Sequence, residues 1–130
     1  MPHITRDLIR KRAEHNEGMI STLEEVALHQ EELEAIDECL GQTCRSMKIL
    51  LLQNNIIRKM ENLHHLKALE YLNLALNNIS KVEGLDRCEF LNKLDLTINF
   101  IDVDSLEDSI DNLVDRAHLK GKGGALCVVA

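Results

Sequence analysis

Residues 47–68 read MKILLLQNNIIRKMENLHHLKA, residues 69–90 read LEYLNLALNNISKVEGLDRCEF, and residues 91–101 read LNKLDLTINFI. Started at Met47, Leu69 and Leu91, the three segments superimpose at a spacing of twenty-two residues. Apolar residues occupy the first, fourth, sixth, eleventh, fourteenth and seventeenth places, and Asn55, Asn77 and Asn99 fall at the ninth. This is the L-x-x-L-x-L-x-x-N-x-I pattern of leucine-rich repeats. The expected fold is α/β: a solenoid with a short parallel sheet on its concave face, helical or 3₁₀ turns on its convex face, and an N-terminal capping helix.

Physical chemistry assigns each place a task. Leu50 and Leu52, Leu72 and Leu74, and Leu94 and Leu96 alternate with other residues, so each pair shares one face of a short strand. One repeat cannot cover that face; stacked repeats share a continuous core. The asparagines then form a ladder, Asn55, Asn77 and Asn99, whose amides satisfy backbone groups where the chain leaves each strand. Asn55→Leu is expected to destabilise although it adds apolar surface. The places of Met60, Leu63 and Leu66, and of Val82, Leu85 and Cys88, are three apart, which suits tight convex turns.

Upstream, LEEVALHQEELEAI (residues 23–36) is a degenerate repeat with Leu23, Val26, Leu28, Leu33 and Ile36 in core places and Glu31 in the asparagine place. A buried, ionised Glu31 would be costly, so partial exposure is expected. ITRDLIRKRAEHN (residues 4–16) reads as a helix capped by Thr5, with Arg10, Lys11 and Arg12 on a solvated face or against a partner. Downstream, Ser105 with Asp108 resembles a capping box, and Leu106, Ile110, Leu113, Val114 and Ala117 would line the inner side of a convex helix. Gly121, Gly123 and Gly124 predict a flexible end. The organisation read from sequence is therefore a cap and lead-in over 1–22, repeats over 23–119 starting near 23, 47, 69 and 91, and a flexible tail or truncated fifth repeat over 120–130.

The 130 residues carry a net charge of −7 and only one tyrosine and two phenylalanines. An aliphatic core follows, and no basic field is present to engage nucleic-acid phosphates. No apolar run is long enough to span a bilayer, and residues 1–15 lack the apolar segment of a signal peptide. The expected location is the cytoplasm. Cys44 and Cys88 share a register place that is Leu66 in the repeat between them, and Cys39 matches Leu63 and Leu85, so they read as small core residues. Cys39 and Cys44 beside His64 and His65 lack the C-x-x-C spacing of a zinc site. Residues 127–130, CVVA, fit a C-a-a-X prenylation signal at Cys127, which would make the protein a membrane adapter.

No G-x-S-x-G, H-E-x-x-H or phosphate-cradling loop occurs, so no enzyme activity, cofactor or metal is expected. The informative surface is concave. Side chains between the core leucines point out of the sheet, and Ile49, Leu51, Gln53, Tyr71, Asn73, Leu76, Lys93, Asp95 and Ile98 are the candidate partner-binding residues. Five of these are sizeable and apolar, a grouping that marks protein-binding faces.

LEYLNLALNNI (69–79) and KLDLTINFI (93–101), with the stretches at 4–16 and 23–36, resemble the leucine-rich-repeat axonemal dynein assembly factors of the tilB, or seahorse, type. The resemblance runs from about Ile4 to Ile101 and weakly to Leu119. It implies a noncatalytic scaffold for cytoplasmic preassembly of dynein arms, with other assembly factors and chaperones as partners. The family continues with further repeats, a coiled coil and a CS-like domain; this chain departs from it after Leu119 and is expected to be a fragment or shortened form. The twenty-two-residue repeat also occurs in SDS-type phosphatase regulators, which implies a phosphatase-regulatory subunit as the alternative.

Overall fold

The computed structural model describes residues 2–13, 19–112 and 126–130. Helix α1 (Arg6–Arg12) precedes strand β1 (Glu25–Ala27), helix α2 (Glu38–Thr43), and strands β2 (Ile49–Leu51), β3 (Tyr71–Asn73), β4 (Lys93–Asp95) and β5 (Cys127–Val129). The five strands form one parallel sheet in chain order. Each strand is three residues because only the x-L-x word of the repeat is extended; the flanking places turn. The register aligns Val26, Leu50, Leu72, Leu94 and Val128 in one inward column. Leu28, Leu52, Leu74 and Leu96 form a second inward set, buried like the eleventh-place residues Leu33, Ile57 and Ile79. Burying each such side chain contributes about 1.5–3 kcal/mol.

The asparagine amides stitch adjacent repeats together. The Asn77 Oδ1 accepts from the Ile57 N–H at 3.0 Å, while its Nδ2 donates to the carbonyls of Leu52 at 2.9 Å and Leu74 at 3.1 Å. Asn99 repeats this with Ile79, Leu74 and Leu96. Asn55 does so with the N–H groups of Glu31 and Leu33 and the carbonyls of Leu28 and Leu52. Every one of these backbone groups lies at a turn where no ladder partner is in reach, which is why an amide with both donor and acceptor is needed there.

The convex side carries the expected short helical and i→i+3 turns. A short helix, α2, occurs in the first repeat, which is two residues longer than the next. In the second and third repeats the chain closes through successive i→i+3 turns without merging into a helix. They run from Leu63 to Leu66 to Leu69, and one repeat later from Leu85 to Cys88 to Leu91. Cys88 thus stands at the bend between two turns just as Leu66 does. The descending path also needs a left-handed residue at the sixteenth place. Asn62 supplies it with φ 59°, and Gly84 supplies it with φ 75° one repeat later. A Cβ on Gly84 would stand 2.8 Å from the Met60 carbonyl oxygen, so this place tolerates no side chain without movement.

One expectation for the later residues is corrected, the burial of the apolar side of the helix. The 3₁₀ turn at Val103–Ser105 is capped by Asp102, whose carboxylate accepts from the Asp104 N–H, the Ser105 hydroxyl donates to the carbonyls of Ser80 and Asp102, and residues 106–112 are helical. The inner side of that helix is polar: the Ser109 Oγ accepts from the Val82 N–H at 2.9 Å and the Asn112 Nδ2 donates to the Val82 carbonyl at 2.7 Å. Satisfying that buried peptide outweighs burial of Leu106 and Ile110, which are exposed. Leu113, Val114, Ala117 and the three tail glycines lie outside the described residues. Residues 127–129, expected in a flexible tail or a truncated fifth repeat, form β5, with the Cys127 N–H bonded to the Asn92 carbonyl and the Val129 carbonyl accepting from the Leu96 N–H.

Candidate interaction surface

The strand register sets the outward-facing side chains in two columns, Glu25–Ile49–Tyr71–Lys93–Cys127 and Ala27–Leu51–Asn73–Asp95–Val129. Ile49, Leu51, Tyr71, Asn73 and Asp95 are half-buried and Lys93 is exposed. The Lys93 ammonium lies 4.9 Å from the centroid of the Tyr71 ring, a cation–π contact that holds the ring against the sheet. Asn73 and Asp95 turn back on their own strands. The Asn73 Oδ1 accepts from the Ala75 N–H, and the Asp95 Oδ1 accepts from both the N–H and the hydroxyl of Thr97. Gln53 is half-buried, and its Oε1 is a buried acceptor without a donor among the described residues.

Leu76 and Ile98 stand just beyond the strands and are 41% and 65% exposed. Both have left-handed backbones, with φ 57° and 55°, as do Gln30 and Asn54 in the same register place. Left-handed φ is unusual for leucine and strained for a β-branched isoleucine. It persists because the surrounding ladder fixes the turn, as in the Leu76 N–H bond to the Thr97 carbonyl. Asn54 is the one sequence signal for this geometry, since asparagine tolerates it best after glycine.

Sequence reasoning named Arg12 but missed its partners within the chain. Its guanidinium pairs with the Glu31 carboxylate and lies 3.1 Å from the His29 Nδ1, pinning α1 onto the first repeat. Glu31 is half-buried, and it sits in the asparagine place only because this cation comes from the cap to meet it. On the convex side, a depression of about 370 Å³ is lined by His64, His65, Lys67, Asp86 and Arg87. Partial burial first, and then the neighbouring His64 and Arg45, hold the His65 imidazole below its ordinary pKa. Cys44 and Cys88 are fully buried, and burial followed by the nearby Cys39 pushes the Cys44 thiol up to about 11. No helix among the described residues is long and apolar enough to cross a membrane.

No protein-family model matches the chain. Curated proteins do. Dynein axonemal assembly factor 11 of Trypanosoma brucei brucei is 55% identical over 123 residues, 93% of this chain and 32% of that protein. The Mus musculus protein of the same name is 57% identical over 120 residues, 92% of this chain and 24% of its own length. Protein tilB of Drosophila melanogaster is 59% identical over 73 residues, 56% of this chain and 18% of that protein. The chain is a homologue of tilB and dynein axonemal assembly factor 11. Wherever it is trimmed, a match over 93% of the chain includes strands β1 to β4 and the asparagine ladder. LEYLNLALNNI and KLDLTINFI both fall within that match. The chain spans about a third or less of the length of these relatives.

Proposed function

We propose that this chain is a noncatalytic protein-binding scaffold in the assembly of axonemal dynein for motile cilia or flagella. The observation that carries this reading is the 55% identity, over 93% of the chain, to a protein named dynein axonemal assembly factor 11. Its partners are other dynein assembly factors and chaperones, met in the cytoplasm, and its binding surface is the concave set Ile49, Leu51, Gln53, Tyr71, Asn73, Leu76, Lys93, Asp95 and Ile98. The partly exposed apolar members support that choice, because grouped apolar side chains on a folded sheet serve association better than stability. Prenylation at Cys127 has less support: its N–H is bonded within the sheet, where a modifying enzyme needs an extended free segment.

The test is genetic replacement in a flagellated cell. Removing the protein is expected to leave axonemes without dynein arms in electron micrographs, and a wild-type copy restores them. A copy carrying Tyr71→Ala with Leu76→Ala is expected to fold and to restore few or none. Intact arms after removal would refute the assembly role, and copurification with a catalytic phosphatase subunit would favour the regulatory alternative.

A further inference from the structure

The column Glu25–Ile49–Tyr71–Lys93 crosses the concave face as a negative charge, two apolar side chains and a positive charge in register. Cys127 of β5 follows Lys93 in the register, and neither Glu25 nor Lys93 is matched by an ion pair among the described residues. Glu24, beside Glu25, is taken by Lys48 at 2.9 Å, and Asp95, beside Lys93, is engaged by Thr97. Glu25 is exposed, and the Lys93 ammonium lies over the Tyr71 ring. On this basis, and resting on the concave-face reading above, we propose that the face receives an amphipathic α-helix of complementary polarity laid across the strands.

The geometry selects a helix. The strands are three residues long, so the face is about 10 Å wide, close to the diameter of one helix with its side chains. An extended peptide crossing this face would find its backbone unpaired, because the sheet's own N–H and C=O groups are used between strands. Three strand spacings separate Glu25 from Lys93, about 14 Å, which is close to ten residues of helix rise. Helical periodicity then places the matching residues at i, i+4, i+7 and i+11: a basic residue over Glu25, two apolar residues over Ile49 and Tyr71, and an acidic residue over Lys93.

The experiment selects binders for the intact chain from a phage-displayed library of fifteen-residue peptides in an alanine and glutamine helical background, randomised at those four places and in both directions. Selected peptides are expected to carry opposite charges eleven residues apart with two apolar residues between them. Their affinity should fall tenfold or more with Tyr71→Ala. The double reversal Glu25→Lys with Lys93→Glu should reject them and accept peptides with the two charges exchanged. Binders that depend on Tyr71 but show no charge spacing, or that ignore the reversal, would overturn this inference and leave the concave-face reading standing. Binders indifferent to Tyr71, or no binders at all, would overturn both.

Discussion

The two ends of the sheet follow the same register and end differently. Beyond β1 the chain supplies its own cover: Ile4, Ile9, Ala13 and Ile20 are buried, Arg12 reaches Glu31 and His29, and Asp37 accepts from the Ile4 N–H at 2.7 Å. Beyond β4 lies β5, whose Val128 continues the column of Val26, Leu50, Leu72 and Leu94. Those four are at most 2% exposed and Val128 is 38% exposed. Register makes a strand, whereas cover from both sides makes a core. A solenoid turn that is paired on one side gains its backbone bonds without gaining full burial.

The asparagine ladder sharpens this contrast most. Asn55→Leu should cost about 4 kcal/mol, because the N–H groups of Glu31 and Leu33 and the Leu28 carbonyl lose their partner inside the structure. Asn99→Leu should cost about half as much, since Asn99 is half-buried and water can replace part of what is lost. Urea denaturation of the two variants checks both values, and equal losses would break the comparison. Next in size, Ile9→Ala should cost about 3 kcal/mol by opening the capped end, against less than about 1 kcal/mol for Val128→Ala at the open one. Arg12→Met should cost about 2 kcal/mol, because it strands a half-buried Glu31; a double-mutant cycle with Glu31→Gln should recover most of that as coupling energy.

The smallest effect is chemical. Iodoacetamide at pH 8 should label exposed Cys127 and spare buried Cys44, with peptide mass spectrometry as the readout. The Cys44 thiol, held near 11 against 9.0 for a free thiol, keeps its proton in the folded state while the unfolded chain loses it. Its contribution is therefore present below pH 9 and declines as pH rises from 9 toward 11.

Much of the solenoid could be read directly from the residues. Leu50, Leu72 and Leu94 announced the strands, Asn55, Asn77 and Asn99 announced the ladder, and Asn62 with Gly84 carried an unused signal for the left-handed turn. The fifth strand was hidden because Cys127 lies 34 residues after Lys93, against 22 between Tyr71 and Lys93, and no asparagine follows it. The orientation of the helical residues 106–112 was hidden for another reason: an apolar stripe predicts burial only when no unpaired peptide competes, and the Val82 peptide claimed Ser109 and Asn112 instead. On the concave face, alternation placed Ile49, Leu51, Tyr71, Asn73, Lys93 and Asp95 on the outward side of their strands. The left-handed backbones of Leu76 and Ile98 were not legible, because the ladder rather than residue preference imposes them.

The central claim is that association belongs to the concave face and not to the open end. The direct measurement compares the wild-type chain, Tyr71→Ala with Leu76→Ala, and Val128→Asp as baits for dynein assembly factors from flagellated cells, with a thermal melt of each. The double variant is predicted to melt within a few degrees of wild type and to lose at least tenfold in recovered partner, while Val128→Asp keeps its partner. Undiminished recovery by the double variant, or loss confined to Val128→Asp, would contradict the account.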